Sequence, residues 1–110
     1  MEPRSDLVQG TLEMLILKVL TLEPMHGWGI SERIQQMSRE VFQVNQGSLY
    51  PALQRLKRKG MVSARWQTTE HNRRARYYEL TAKGRSQLVQ EERSWQRSAE
   101  AVNRILQEAS

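Results

Sequence analysis

The sequence predicts a mainly α-helical fold with one small β-hairpin, in the order helix, helix, helix, hairpin, long helix. Apolar residues recur at helical spacing in four segments, and two shorter segments flank a polar turn between the third and the fourth. A chain of 110 residues is long enough for one small domain and one appended element. We therefore expect a globular domain over residues 1–80 and a separate helix over residues 81–110.

The first helix is expected to be buried on more than one side. Its apolar face is formed by Leu12, Leu15, Ile16, Val19 and Leu20. Met14 and Leu17 lie off that face, and a helix that is apolar on several sides is usually buried on several sides. Pro24 is expected to end this helix.

A second helix is predicted over residues 28–37, and residues 41–45 are expected to be extended or turn-like. The inner stripe of this helix is predicted to be Ile30, Ile34 and Met37. Trp28, at its start, is expected to be a core residue.

The third helix is predicted to end near Lys59, where Gly60 suits a position just past a helix terminus. Its inward residues are Leu49, Leu53 and Leu56. Its start is open between two positions. Asn45 is a good N-cap by residue type, whereas Pro51 is favoured in a first turn and therefore favours a start near Ser48.

Residues 61–69 and 73–80 are predicted to form the two strands of the hairpin, with residues 70–72 as its turn. Tyr78 and Leu80 are expected on one face of the second strand and Tyr77 on the other.

A last helix is predicted from the N-cap Thr81 almost to Ser110. Such a helix is roughly 40 Å long, which is too long to bury against so small a body. Its heptad seam, with one polar interruption, is Leu88, Glu92, Trp95, Ala99, Val102 and Leu106. This pattern predicts that the helix pairs with a second copy of the chain.

Positive charge is concentrated between residues 55 and 76. The formal charge of the chain is +5, yet this window alone holds eight cationic residues against one acidic residue, Glu70. The cations are Arg55, Lys57, Arg58, Lys59, Arg65, Arg73, Arg74 and Arg76. Because they cluster on the third helix and the hairpin, they predict a surface that binds a polyanion.

Three helices followed by a hairpin are typical of a winged helix-turn-helix, in which the third helix enters the major groove of double-stranded DNA. Its outward face is predicted to carry Tyr50, Gln54 and Arg58, with Gln46 and Ser48 at the N-terminal end, where base contacts concentrate. The remaining predicted DNA contacts are Arg55, also on the helix, and Arg73 and Arg74 at the tip of the hairpin.

Several motifs in order resemble the PadR-like transcriptional regulators. Residues 47–56, Gly-Ser-Leu-Tyr-Pro-Ala-Leu-Gln-Arg-Leu, are similar to the recognition helix of that family. Residues 26–30, His-Gly-Trp-Gly-Ile, resemble its His-Gly-Tyr turn with tryptophan in place of tyrosine, and residues 74–84 resemble its wing and the start of its last helix. The likeness extends from about residue 7 to residue 106.

This resemblance implies a bacterial regulator, in most members a repressor, that binds an inverted-repeat operator as a homodimer built by the first and last helices. It implies DNA contacts from Gln46, Ser48 and Tyr50, and phosphate contacts from the wing arginines Arg73, Arg74 and Arg76. It also implies release of DNA by a small aromatic ligand between the subunits, near Trp95. The other interpretation of Trp95 is a packed side chain in the dimer interface, with no ligand.

Other functions are less favoured by the residues. His26 and His71 are far apart in sequence, no metal-ligand spacing is present, and no phosphate-binding glycine loop occurs, so neither an enzyme nor a bound cofactor is expected. A winged helix that binds another protein and an RNA-binding domain remain alternatives. The chain has no cysteine, no secretory signal and no apolar run long enough for a membrane, which predicts a cytoplasmic protein without membrane contact.

Overall fold

A computed structural model describes residues 9–109 of the chain. Four helices and a three-stranded sheet occur in the order α1 (Gln9–Val19), β1 (Met25–His26), α2 (Gly27–Met37), α3 (Gln46–Arg58), β2 (Val62–Thr68), β3 (Arg74–Leu80) and α4 (Ala82–Glu108). The predicted mainly α-helical fold with a hairpin is confirmed. Ser110, near which the last helix was predicted to end, lies outside the described residues.

The core surrounds α1, which packs against α2, α3 and α4. Met14 and Leu17 are buried together with the apolar face predicted for this helix, so its expected burial on several sides is confirmed. Only Leu15 of that face is partly exposed. The other helices contribute mainly isoleucine and leucine to this core: Ile30, Ile34, Leu49, Leu53, Leu56 and Leu88.

Side-chain caps fix where three helices begin. The Nδ1 of His26 accepts a hydrogen bond from the Gly29 amide at the start of α2, and Asn45 Oδ1 accepts one from the Ser48 amide at the start of α3. Thr81 Oγ1 accepts one from Gly84 at the start of α4, as expected from residue type. The start near Ser48 that Pro51 favoured is wrong, because α3 already begins at Gln46.

The third helix ends in a Schellman motif. The Met61 amide donates to the Leu56 carbonyl at 2.9 Å and the Gly60 amide donates to the Lys57 carbonyl at 3.0 Å. Gly60 has a φ of +75°, a left-handed conformation that glycine adopts without steric penalty. The motif directs the chain from α3 into β2 and so sets where the hairpin stands beside the helix.

The hairpin of β2 and β3 is joined on its β3 side by β1, giving an antiparallel sheet of order β1-β3-β2. The short strand β1 was not predicted. Val62 pairs with Leu80 and Trp66 pairs with Arg76. Tyr78 and Leu80 share one face of β3, as expected, and both are buried. Further from the helices the same face of the hairpin is exposed to solvent.

Two residues expected in the core are exposed. Met37 is the last residue of α2, and its side chain is 58 % exposed. The apolar period predicted an inward residue here, but the core does not extend to that end of the helix. Trp28 is also 58 % exposed. Its ring lies on the outside of the domain, where it stacks against His26.

Candidate nucleic-acid interface

The first turn of α3 presents polar groups to solvent. Gln46, Gly47 and Ser48 are all exposed, and the cap from Asn45 holds this turn in place. Pro51 occupies the sixth position of the helix and cannot donate the hydrogen bond that the Gly47 carbonyl would otherwise receive. Both residues are exposed, so water can hydrogen-bond to that carbonyl.

Tyr50 and Gln54 lie one and two turns further along the same exposed face of α3. The Tyr50 ring, 41 % exposed, covers Gly27 at the start of α2, where a β-carbon would stand 2.9 Å from Tyr50 Oη. Glycine at this position therefore allows the close approach. Tyr78 is buried nearby on β3, and burial raises the pKa of its phenol above the usual value, so it stays neutral at physiological pH.

The wing tip is ordered by Thr69. Its Oγ1 accepts hydrogen bonds from the amides of His71 and Arg73, both at 3.2 Å. Asn72 adopts a left-handed φ of +59°, which asparagine tolerates better than most residues. The turn therefore places Arg73 in a defined position, exposed to solvent, at the start of the returning strand.

Arg74 and Arg76 extend from one face of β3 and lie over the ring of Trp66 on β2. Their guanidinium carbons are 5.4 Å and 5.6 Å from the ring centroid. The Nε of Arg76 is buried and has no hydrogen-bond partner among the described residues. This face of the wing therefore combines two guanidinium groups with one large aromatic ring.

An open groove of about 840 Å³ separates the wing from α2 and α3. Its lining comes from the helix face on one side and from the wing on the other, including Tyr50, Gln54, Trp66, Arg73, Arg74 and Arg76. Five of the nine sequence-predicted DNA contacts line this groove, namely Tyr50, Gln54, Arg73, Arg74 and Arg76. Gln46, Ser48 and Arg58 lie elsewhere on the exposed surface of the same helix.

Arg55 has a different environment from the other candidates. Its Nε donates to Glu13 Oε2 on α1 at 3.1 Å, and its side chain is 23 % exposed. Lys59 Nζ lies 3.3 Å from the other oxygen of the same carboxylate. The two cations therefore join α3 to α1, and the Arg55 guanidinium is paired within the fold. Charge clustering along the sequence does not reveal Glu13 as its partner.

The candidate dimer residues of α4 divide into two groups. Leu88 is 4 % exposed and belongs to the core of its own chain. Glu92, the polar interruption of the seam, pairs with Lys18 of α1 at 3.1 Å. Beyond this point Trp95, Val102 and Leu106 are exposed, and Ala99 is half-buried.

Sequence reasoning missed Trp66 and His26. No period or motif distinguished Trp66, whose environment depends on residues across the hairpin. His26 was identified only within a turn, but it caps α2, and its ring also makes an edge contact with Tyr77 at a centroid distance of 5.3 Å. A polar residue two positions before the predicted helix start was the available signal, although histidine is an uncommon cap.

A family model for the transcriptional regulator PadR-like family matches residues 16–90, which include α2, α3, the wing and the start of α4. The chain belongs to this family. The resemblance identified from the motifs is thereby confirmed. PadR-like proteins are DNA-binding transcriptional regulators and not enzymes, so the groove between recognition helix and wing belongs to a DNA-binding protein. This outcome favours DNA over the protein-binding and RNA-binding alternatives.

Solved structures of similar proteins share the whole fold. A PadR-like transcription factor from Bacteroides fragilis is 36 % identical with a TM-score of 0.71, over 88 % of this chain and 91 % of that one. A PadR-like transcriptional regulator from Bacillus cereus is 28 % identical with a TM-score of 0.76, over 90 % and 94 %. A transcriptional regulator from Clostridium thermocellum is 25 % identical with a TM-score of 0.80, over 87 % and 93 %.

A curated relative, an uncharacterized protein from Lysinibacillus sphaericus, is 26 % identical over 104 residues, which are 94 % of this chain and 95 % of that protein. The fold matches winged-helix PadR-like regulators that have a long C-terminal helix, as this chain has. Across residues 9–109, none of the helices combines the length and the apolar character needed to cross a membrane.

Proposed function

We propose that this PadR-like regulator is a homodimeric repressor that binds an inverted-repeat operator. In this proposal residues 1–80 bind DNA and residues 81–110 hold the dimer together. The observation that carries the proposal is the apolar surface on the distal half of α4. Its large members are Trp95, Val102, Ile105 and Leu106, each between 51 % and 64 % exposed.

The distal half of α4 has few contacts with its own domain. Within α4 the buried residues are Gly84 and Leu88, both in its first two turns. A second copy related by a two-fold axis would lay the same apolar side of its own α4 against this one, because such an interface uses one surface twice. Burial of this surface supports association, since apolar area removed from water stabilises a complex.

Two-fold symmetry determines the form of the DNA site. Each protomer would present one α3 and one wing, so the operator would contain two inverted half-sites. Their centres would lie about one helical turn, roughly 34–36 Å, apart or at a multiple of that distance. A dimer bound across such a site in a promoter would exclude the transcription machinery, and this is the repressor activity that we propose.

The proposed roles of helix and wing differ in a way that binding measurements can separate. Gln46→Ala or Ser48→Ala is expected to relax preference at particular bases by about 1–3 kcal/mol, because in this proposal the first turn of α3 would meet base edges. Arg73→Ala is expected to weaken binding to all sequences similarly, with the salt slope reduced by roughly 0.9 for one lost phosphate contact.

The measurement is a set of salt titrations on the operator found by footprinting upstream of the protein's own gene, repeated on duplexes with single base changes. Glu79→Ala, on the exposed side of the wing, is the control, and it should retain the base preference of the wild type. If the wing variant changes base preference while the α3 variants do not, the assignment of roles is wrong.

We further propose that a planar aromatic effector binds between the subunits beside Trp95. A small cleft of about 120 Å³ between α1 and α4 is lined by Trp95 together with Met14, Glu91 and Ser94. Two symmetry-related indoles with such clefts could hold a flat ligand by stacking at centroid separations of ~4.5–7 Å. The ligand would release DNA by favouring another spacing of the two α3 helices.

Titration with planar aromatic cations and phenolic acids is expected to quench tryptophan fluorescence in the wild type and not in Trp95→Ala. Trp28 and Trp66 also emit, so only the part of the signal that this substitution removes reports the site. Absence of any Trp95-dependent change across the panel would favour the simpler interpretation, in which the two indoles pack against each other in a closed interface.

A further inference from the structure

Trp66 stands in the proposed DNA-binding groove without a role in the core or in the predicted contacts. It lies in the middle of β2, its side chain is 56 % exposed, and it points to the same side of the hairpin as Arg74 and Arg76. This face continues the buried face that Val62, Tyr78 and Leu80 form nearer the helices. On the exposed part of this face, the Trp66 ring lies beside the side chains of Arg74 and Arg76.

Both guanidinium groups lie within cation–π distance of this one ring. The Arg74 carbon is 5.4 Å and the Arg76 carbon 5.6 Å from its centroid, and tryptophan is the aromatic side chain that attracts cations most strongly. The strand register explains the arrangement. Arg76 is directly opposite Trp66, and Arg74, two residues earlier on β3, is its diagonal neighbour on the same face.

The contact leaves the hydrogen-bonding capacity of the guanidinium groups available. A ring face attracts the cation without accepting its N–H groups as a carboxylate would, and each guanidinium carries five N–H donors in a planar fork. Because the Arg76 Nε is buried, contact with a phosphate would use the terminal N–H groups of that guanidinium. By comparison, the Arg55 guanidinium already donates to a carboxylate, that of Glu13.

We infer that Trp66 is a positioning residue that holds Arg74 and Arg76 side by side for contact with neighbouring DNA phosphates. The inference rests on the proposed DNA binding and assigns the residue that orients these two arginine side chains. An arginine side chain loses rotamer freedom when it binds, and a side chain already held against a ring loses less of it. Trp66 therefore raises affinity through the two arginines and not through its own contact with DNA.

A double-mutant cycle on the full-length chain tests this role. The variants are W66L, R74A/R76A and the triple variant W66L/R74A/R76A, each titrated at several salt concentrations with a 30-base-pair duplex of mixed sequence. W66L is expected to lower the affinity about fivefold, in keeping with the loss of two exposed cation–π contacts. In the background that lacks both arginines, W66L is expected to have no further effect, because nothing remains for the ring to hold.

Two further variants separate positioning from a general structural role. W66F keeps an aromatic face and is expected to restore most of the lost affinity, whereas W66T, suited to a strand but without a ring, should behave as W66L does. W28L is the matched control, since Trp28 is an equally exposed tryptophan in the same groove with its ring on His26. Its effect should add to that of R74A/R76A.

The outcomes distinguish the two levels of the proposal. If the wild type binds the duplex and W66L binds it with the same affinity, the positioning role is overturned. It is also overturned if W66L loses the same affinity with and without the two arginines. Either result leaves the proposed function intact. A wild-type chain that does not bind the duplex even at low salt overturns both. Thermal unfolding monitored by circular dichroism verifies that the variants are folded, as expected for a side chain that is more than half exposed.

Discussion

Replacing Val102 and Leu106 together with glutamate is expected to convert the dimer into folded monomers and to weaken operator binding by about a hundredfold or more. The loss is large because two linked half-site contacts raise affinity by roughly 10²–10⁴ over one contact alone. Both side chains are more than half exposed in the single chain, so glutamate meets water in the monomer. In the proposed dimer the same carboxylates would be buried against the partner, where an unpaired charge is strongly unfavourable.

Arg104→Glu provides the matched control for this experiment. Arg104 lies on the opposite side of α4 from Val102 and Leu106 by helical periodicity, and it is exposed. The single substitution changes the net charge by −2, the same change that the two glutamates produce together. A control that remains dimeric therefore assigns the effect to the apolar surface and not to charge.

Sedimentation equilibrium at tens of micromolar gives the oligomeric state, and circular dichroism verifies that the variant chain is folded. A wild-type protein that sediments as a monomer at this concentration would contradict the proposed dimer. A double glutamate variant that remains dimeric would place the interface elsewhere on the chain. In that case the exposed apolar side of α4 would need another partner.

Local signals in the sequence predicted the elements of this fold well, since caps and termini depend on neighbouring residues. Thr81 caps α4 and Gly60 ends α3 because each acts within a few residues of its own position. The strand β1 has only two residues, too few for an alternating pattern to appear. Pro51 suggested a later start for α3, but its missing hydrogen bond falls on the exposed side of the helix and is tolerated there.

The candidate site was predicted less completely, because its environment depends on contacts between distant parts of the chain. Charge clustering grouped Arg55 with the wing arginines, but its partner Glu13 is 42 residues away on α1. Periodicity assigned Leu88 to the same seam as Val102, yet the first turns of α4 pack on their own domain while the distal turns extend beyond it. Only the folded structure distinguishes Arg55 from the wing arginines and Leu88 from the exposed residues of the seam.

Gly84→Ala is expected to lower the free energy of unfolding by about 3 kcal/mol or more, the upper range for adding a methyl group to a filled site. A β-carbon on Gly84 would collide with the carbonyl oxygen of Met61 and would lie 2.7 Å from Leu80 Cδ1. That oxygen also accepts a hydrogen bond from the Thr81 amide at 3.1 Å. The added methyl group would therefore push α4 away from the place where β2 begins and β3 ends.

The effect is measured by thermal unfolding at one fixed protein concentration, because dimer formation makes the transition depend on concentration. For a chain of this size a loss of this magnitude lowers Tm by roughly 10–20 °C. Gly10→Ala in α1 is the control, since a β-carbon there meets nothing within 4 Å, and it should unfold at or slightly above the wild-type temperature. Similar melting of the Gly84 variant and the wild type would contradict the close packing of Gly84 against Met61 and Leu80.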